Sequence, residues 1–75
     1  MRNANRIRLG KRIRALRQAK GWTQEELAGT AGLHPTYIGG IERGERNLSF
    51  DNLLKIAHAL REPLSSLYPN GERRS

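Results

Sequence analysis

The sequence contains no cysteine, which excludes disulfides and thiolate metal sites and fits a reducing compartment. No apolar run exceeds two or three residues, so there is neither a transmembrane span nor the core of a signal peptide. A cytoplasmic location is the expectation. No internal repeat or low-complexity linker breaks the 75 residues, a length that makes one small domain. Small domains leave much of their apolar surface exposed and compensate with disulfides, metals or self-association. With the thiol routes removed, self-association is the expected aid.

Acid is missing from one end. Residues 1–20 carry eight basic side chains (Arg2, Arg6, Arg8, Lys11, Arg12, Arg14, Arg17 and Lys20) and no Asp or Glu, whereas the other 55 carry six basic and seven acidic groups. The net charge of +7 therefore belongs to one segment. Such a block points to a polyanion, either nucleic acid or an anionic membrane, unless it serves only as a solvated face.

Catalytic constellations are absent too. His34 and His58 stand alone, at no metal-ligand spacing from another His or a carboxylate. Ser65-Ser66 has no basic partner nearby and no nucleophile-elbow context. The glycine pairs do not follow a strand as a phosphate-binding loop would. No enzymatic activity, metal or cofactor is expected.

What is present reads as five helices without strands, an all-α domain over residues 1–68 followed by a polar tail, 69–75, expected to be disordered. Asn3 or Asn5 can cap a first helix reaching about Lys20. Leu9, Ile13 and Leu16 give it one apolar stripe. Gly10 sits inside that helix at a cost of ~1 kcal/mol relative to Ala, tolerable where a neighbour packs closely. Thr23 and Glu26 form a T-x-x-E capping box for the second helix, with Trp22 and Leu27 at the staple positions. Gly32 makes a tight turn, and His34-Pro35 starts a third helix running to about Arg43. Ile38 and Ile41 face inward there, while Thr36, Gly39, Gly40 and Arg43, at i, i+3, i+4 and i+7, share an outward stripe. Ser49 caps a fourth helix, and Pro63 opens a short fifth one holding Leu64 and Leu67.

Two short helices joined at a tight turn, in a small basic helical domain, form a helix–turn–helix. In that arrangement the second helix of the pair enters the major groove while the first crosses above it, its N-terminal N–H groups able to hold a phosphate.

The residues TQEELA…AGL…YI…IERGERN followed by SFDNLLKIA resemble the Cro/repressor-type (XRE-like) helix–turn–helix family, from about Leu9 to Leu67. The segment TYIGGIERGERNLS is similar to the controller proteins of restriction–modification systems. The resemblance implies a lambda-repressor-like domain in which helices 2 and 3 form the DNA-binding pair. It places Gln24 on a backbone phosphate and Pro35, Thr36, Tyr37, Gly39 and Gly40 on the face that meets the groove. Thr36 and Tyr37 would touch base edges or adjacent backbone, unless Tyr37 packs its ring beside Ile41 instead. Arg43, Arg46 and Asn47 would secure phosphates, with Arg46 within reach of a base. It also implies that Arg17 and Glu42 bridge the first and third helices as a structural ion pair.

The chain departs from its relatives at the centre of the stripe. They often carry a long polar side chain where this chain has Pro35, and serine or glutamine at Gly39 or Gly40. Two interior glycines cost ~2 kcal/mol of helix propensity. Bare backbone there implies either an unusually close approach to the groove or thin direct readout. In the second case selectivity would rest on Thr36, Arg46 and DNA shape.

The reading is a homodimeric transcriptional regulator on a palindromic double-stranded operator, with no membrane association and no small-molecule effector evident. Phe50, Leu54, Leu64, Leu67 and Tyr68 supply apolar surface beyond one stripe and are the candidate dimer contact. Two other classes compete. One is an antitoxin-type protein-interaction module with secondary DNA binding. The other has the basic first helix binding RNA or an anionic membrane.

Overall fold

The computed structural model describes residues 4–67. Four α-helices run α1 Ala4–Ala19, α2 Gln24–Ala31, α3 Pro35–Glu42 and α4 Phe50–Leu60, and there is no strand among the described residues. The expected fifth helix is instead a single 3-10 turn, Leu64–Leu67. Pro63 has no N–H to contribute, and the turn closes by an i→i+3 bond from Ser66 N–H to the Pro63 carbonyl at 2.9 Å. Tyr68 and the tail 69–75 lie outside the described residues.

The local start signals act as their chemistry requires. Thr23 Oγ1 accepts from Glu26 N–H at 3.1 Å, and Glu26 Oε1 accepts from Thr23 N–H at 2.7 Å, which completes the capping box of α2. Ser49 Oγ accepts from Asn52 N–H at 3.1 Å and caps α4. His34 caps α3 through Nδ1, which accepts from Thr36 N–H at 3.1 Å, with Pro35 in the first turn. Gly32 ends α2 in the left-handed region at φ 73°, and this reversal lets α3 fold back across α2 after only three connecting residues.

Apolar side chains from every element meet in one core. Ile13 of α1, Leu27 of α2, Ile38 of α3, Ile56 and Leu60 of α4, and Leu67 of the final turn are all fully buried. Leu9, Leu16, Trp22 and Leu33 pack partly buried around them. Gly10 is where α1 and α3 touch backbone to backbone. A Cβ built there would overlap the Ile41 carbonyl oxygen and lie 2.7 Å from that of Glu42.

Arg61 ends α4 at φ 58°, the one positive-φ residue other than glycine among those described. A side chain in this region costs on the order of 1 kcal/mol. Arg61→Gly is therefore expected to raise stability by about 0.5–1 kcal/mol, or a few degrees in Tm for a domain of this size. Thermal denaturation followed by circular dichroism checks this, and an unchanged or lowered Tm would contradict it.

Candidate nucleic-acid interface

The α2–α3 pair is held at its rear by a buried charge cluster. Arg17 grips Glu42 with two parallel bonds, Nε to Oε2 at 2.7 Å and Nη2 to Oε1 at 3.0 Å. The two side chains are only 9% and 3% exposed. The remaining Arg17 terminal nitrogen, Nη1, donates to the Trp22 carbonyl at 2.6 Å. The hydrogen bond to Glu42 raises the Arg17 pKa above its ordinary value, against the opposing desolvation. The guanidinium thus stays charged in any accessible solution. This is the α1–α3 bridge that the motif implies, and it clamps α1 to the last turn of α3.

Gln24 joins the same cluster. Its Nε2 donates to Glu42 Oε1 at 3.0 Å, so the side chain spans from the first residue of α2 to the end of α3. Neither a phosphate contact nor simple exposure in the first turn of α2 anticipates this bond. One of its two amide hydrogens is engaged in this clasp.

Along α3 itself, Thr36 is exposed and Pro35 is half-buried. Arg43 is exposed, with Nε on Glu45 Oε1 at 2.9 Å. Arg46 and Asn47 follow, both exposed. Tyr37 is half-buried and doubly bonded: its hydroxyl donates to the Asn47 carbonyl at 3.1 Å and accepts from Asn52 Nδ2 at 3.0 Å. Tyr37 therefore ties the segment after α3 to α4. Asn52 was missed in the sequence because nothing local marks a first-turn α4 residue as the anchor of a tyrosine fifteen positions earlier.

The centre of the stripe is not bare. Gly39 and Gly40 are both buried. A Cβ on Gly39 would lie 3.1 Å from Arg43 Nη1 and 3.3 Å from Gln24 Oε1. Above Gly40 lies the Arg46 side chain. Side chains from α2 and from beyond α3 thus roof the stretch where exposed backbone was expected.

The first helix carries exposed positive charge. Arg8, Lys11, Arg12 and Arg14 of α1 are exposed, and the first turn of that helix holds no acid. Arg12 also ties down the final turn, with Nε on the Ser66 carbonyl at 2.8 Å. Among the described residues no cluster of His and carboxylate side chains could hold a metal ion, and no helix is long and apolar enough to cross a membrane.

The candidate dimer residues divide. Phe50 is 60% exposed, Leu54 and Leu64 are half-buried, and Leu67 is fully buried. Leu67 therefore belongs to the core of the single chain and cannot form an outer contact. Phe50 and Leu54, at i and i+4, share one face of α4.

Known proteins resemble this chain. A model of the helix-turn-helix family matches residues 13–67. The chain is 48% identical over 61 residues to Control protein C.BamHI of Bacillus amyloliquefaciens, a match spanning 80% of this chain and 75% of that one. It is 41% identical over 59 residues to Control protein C.SmaI of Serratia marcescens, spanning 79% and 70%. Among solved structures, the restriction-modification controller protein C.AhdI from Aeromonas hydrophila superposes with a TM-score of 0.87 at 47% identity, over 88% of this chain and all (100%) of that one.

Proposed function

The chain belongs to the helix-turn-helix family, and from that premise we propose that it is a sequence-specific double-stranded-DNA-binding transcriptional regulator of the restriction–modification controller kind, working as a homodimer on a palindromic operator. The observation that carries this reading is the α2–α3 pair, joined by the Gln24–Glu42 bond and clamped to α1 through Arg17, with Thr36, Arg43 and Arg46 left exposed. In this reading α3 enters the major groove, and Arg43, Arg46, Asn47 and Gln24 take phosphate or base contacts. The similarity to control proteins at 48% and 41% identity supports the branch.

Selection of bound duplexes from a random pool tests the reading. One enriched inverted repeat is expected, its half-sites about one helical turn or a multiple of it apart. Affinity should also fall steeply with salt as counterions are released. Equal affinity for every duplex, or salt-independent binding, would overturn it.

The dimer contact is assigned to the Phe50–Leu54 face of α4. A phenylalanine left 60% exposed can recover about 1 kcal/mol or more by burial against a partner. Phe50→Asp is expected to shift the protein to monomer at tens of micromolar, with its helical signal and melting cooperativity kept. Sedimentation over a concentration series reads this directly. A variant that sediments as the wild type does would move the contact elsewhere.

A further inference from the structure

Gly40 is buried although it lies on the outward stripe of α3, and what buries it comes from outside the helix. A Cβ on Gly40 would lie 2.5 Å from Arg46 Cγ, 3.2 Å from Nε and 3.4 Å from Cδ. Cγ is only the second side-chain atom, placed by the backbone of residue 46 and one torsion angle. Only a turn about that first torsion moves it, and such a turn carries the rest of the side chain along, so even a methyl group at position 40 displaces the whole side chain from this place.

The backbone keeps residue 46 above that spot. Glu45 N–H donates to the Gly40 carbonyl at 2.9 Å and Gly44 N–H to the Ile41 carbonyl at 3.0 Å, so the chain leaving α3 doubles back over its last turns. On the far side, Tyr37 Oη holds the Asn47 carbonyl and is itself held by Asn52. Arg46 is thus bracketed between two anchored neighbours, and its stem lies across the helix surface.

We propose that Gly40 is a positioning residue for sequence readout: its missing side chain is the seat on which Arg46 lies along α3, so that a guanidinium from beyond the helix reads a guanine edge where an in-helix side chain would otherwise do so. This rests on the DNA-binding reading above. The chemistry is specific because a guanidinium matches guanine O6 and N7 with two parallel hydrogen bonds. The seat also gives the glycine a role other than close approach of α3 to the groove. Close approach would need Gly40 whether or not Arg46 were present, whereas a seat is needed only while Arg46 occupies it.

A double-mutant cycle separates the two. Wild type, Gly40→Ala, Arg46→Ala and the double variant are each titrated against the duplex selected from the random pool and against copies with each guanine replaced in turn. The readout is the ratio of affinities, which is unaffected by the fraction of protein folded. The expected result is that Gly40→Ala lowers discrimination at one guanine by roughly 10- to 100-fold. Arg46→Ala should do the same at the same base pair, and the double variant should lose no more than either alone. Gly40→Ser should behave like Gly40→Ala. Independent, multiplying losses, or a Gly40→Ala protein that still discriminates, would overturn the inference while leaving DNA binding intact. A wild type that discriminates between no duplexes would overturn both.

Discussion

Glu42→Ala is expected to cost about 3–5 kcal/mol, the usual result of removing one member of a buried, hydrogen-bonded pair. It would leave the Arg17 guanidinium without a counter-charge at a site where the pair is almost closed to water, and it would take the acceptor from Gln24. A domain of 75 residues holds roughly 4–11 kcal/mol in total, so the variant should sit near its unfolding midpoint or melt about 15–30 °C lower. Urea denaturation followed by circular dichroism measures it. A loss below about 1 kcal/mol is the behaviour of an exposed pair and would mean that water reaches the carboxylate. Such a small loss is what is expected for the exposed Arg43–Glu45 pair. Replacing both partners, Arg17→Met with Glu42→Leu, should restore much of the loss, because the cost lies in stranding a charge rather than in lacking one.

Gly10→Ala should destabilise by about 1–3 kcal/mol, the range for overpacking a filled interior. Helix propensity alone gives the opposite sign, a gain of ~1 kcal/mol for alanine in the middle of α1, so the direction of the measured change decides. The reason is that the added methyl would meet the backbone carbonyls of Ile41 and Glu42 rather than a movable side chain. Relief requires α1 and α3 to part, which loosens the Arg17–Glu42 clamp between the same helices and tilts α3 away from α2. Weakened DNA binding by the folded fraction should accompany the lower Tm. A more stable variant with unaltered binding would show that the helices have room to separate without consequence.

Much of the architecture is legible in short stretches of sequence, because caps and turns are local chemistry. Thr23 with Glu26, Ser49, His34-Pro35 and Gly32 mark element ends through bonds that span four residues or fewer. The Cro/repressor-type motif carries the Arg17–Glu42 pairing as well, as a pattern across 25 positions. The final element is a different matter. Pro63 marks its start, but Leu64–Leu67 close as a 3-10 turn rather than an α-helix.

By itself, then, the sequence determined four helices and the caps of α2, α3 and α4, the basic first segment and the helix–turn–helix pattern, since each depends on neighbours along the chain or on residue type alone. The tertiary structure decided what covers what. It sealed Leu67 in the core, turned Gln24 toward Glu42, bonded Tyr37 to Asn52 and laid Arg46 over Gly40. These contacts depend on where the chain goes after each helix ends. A glycine's lack of a side chain says only that something can come close; the fold alone settles which atoms do.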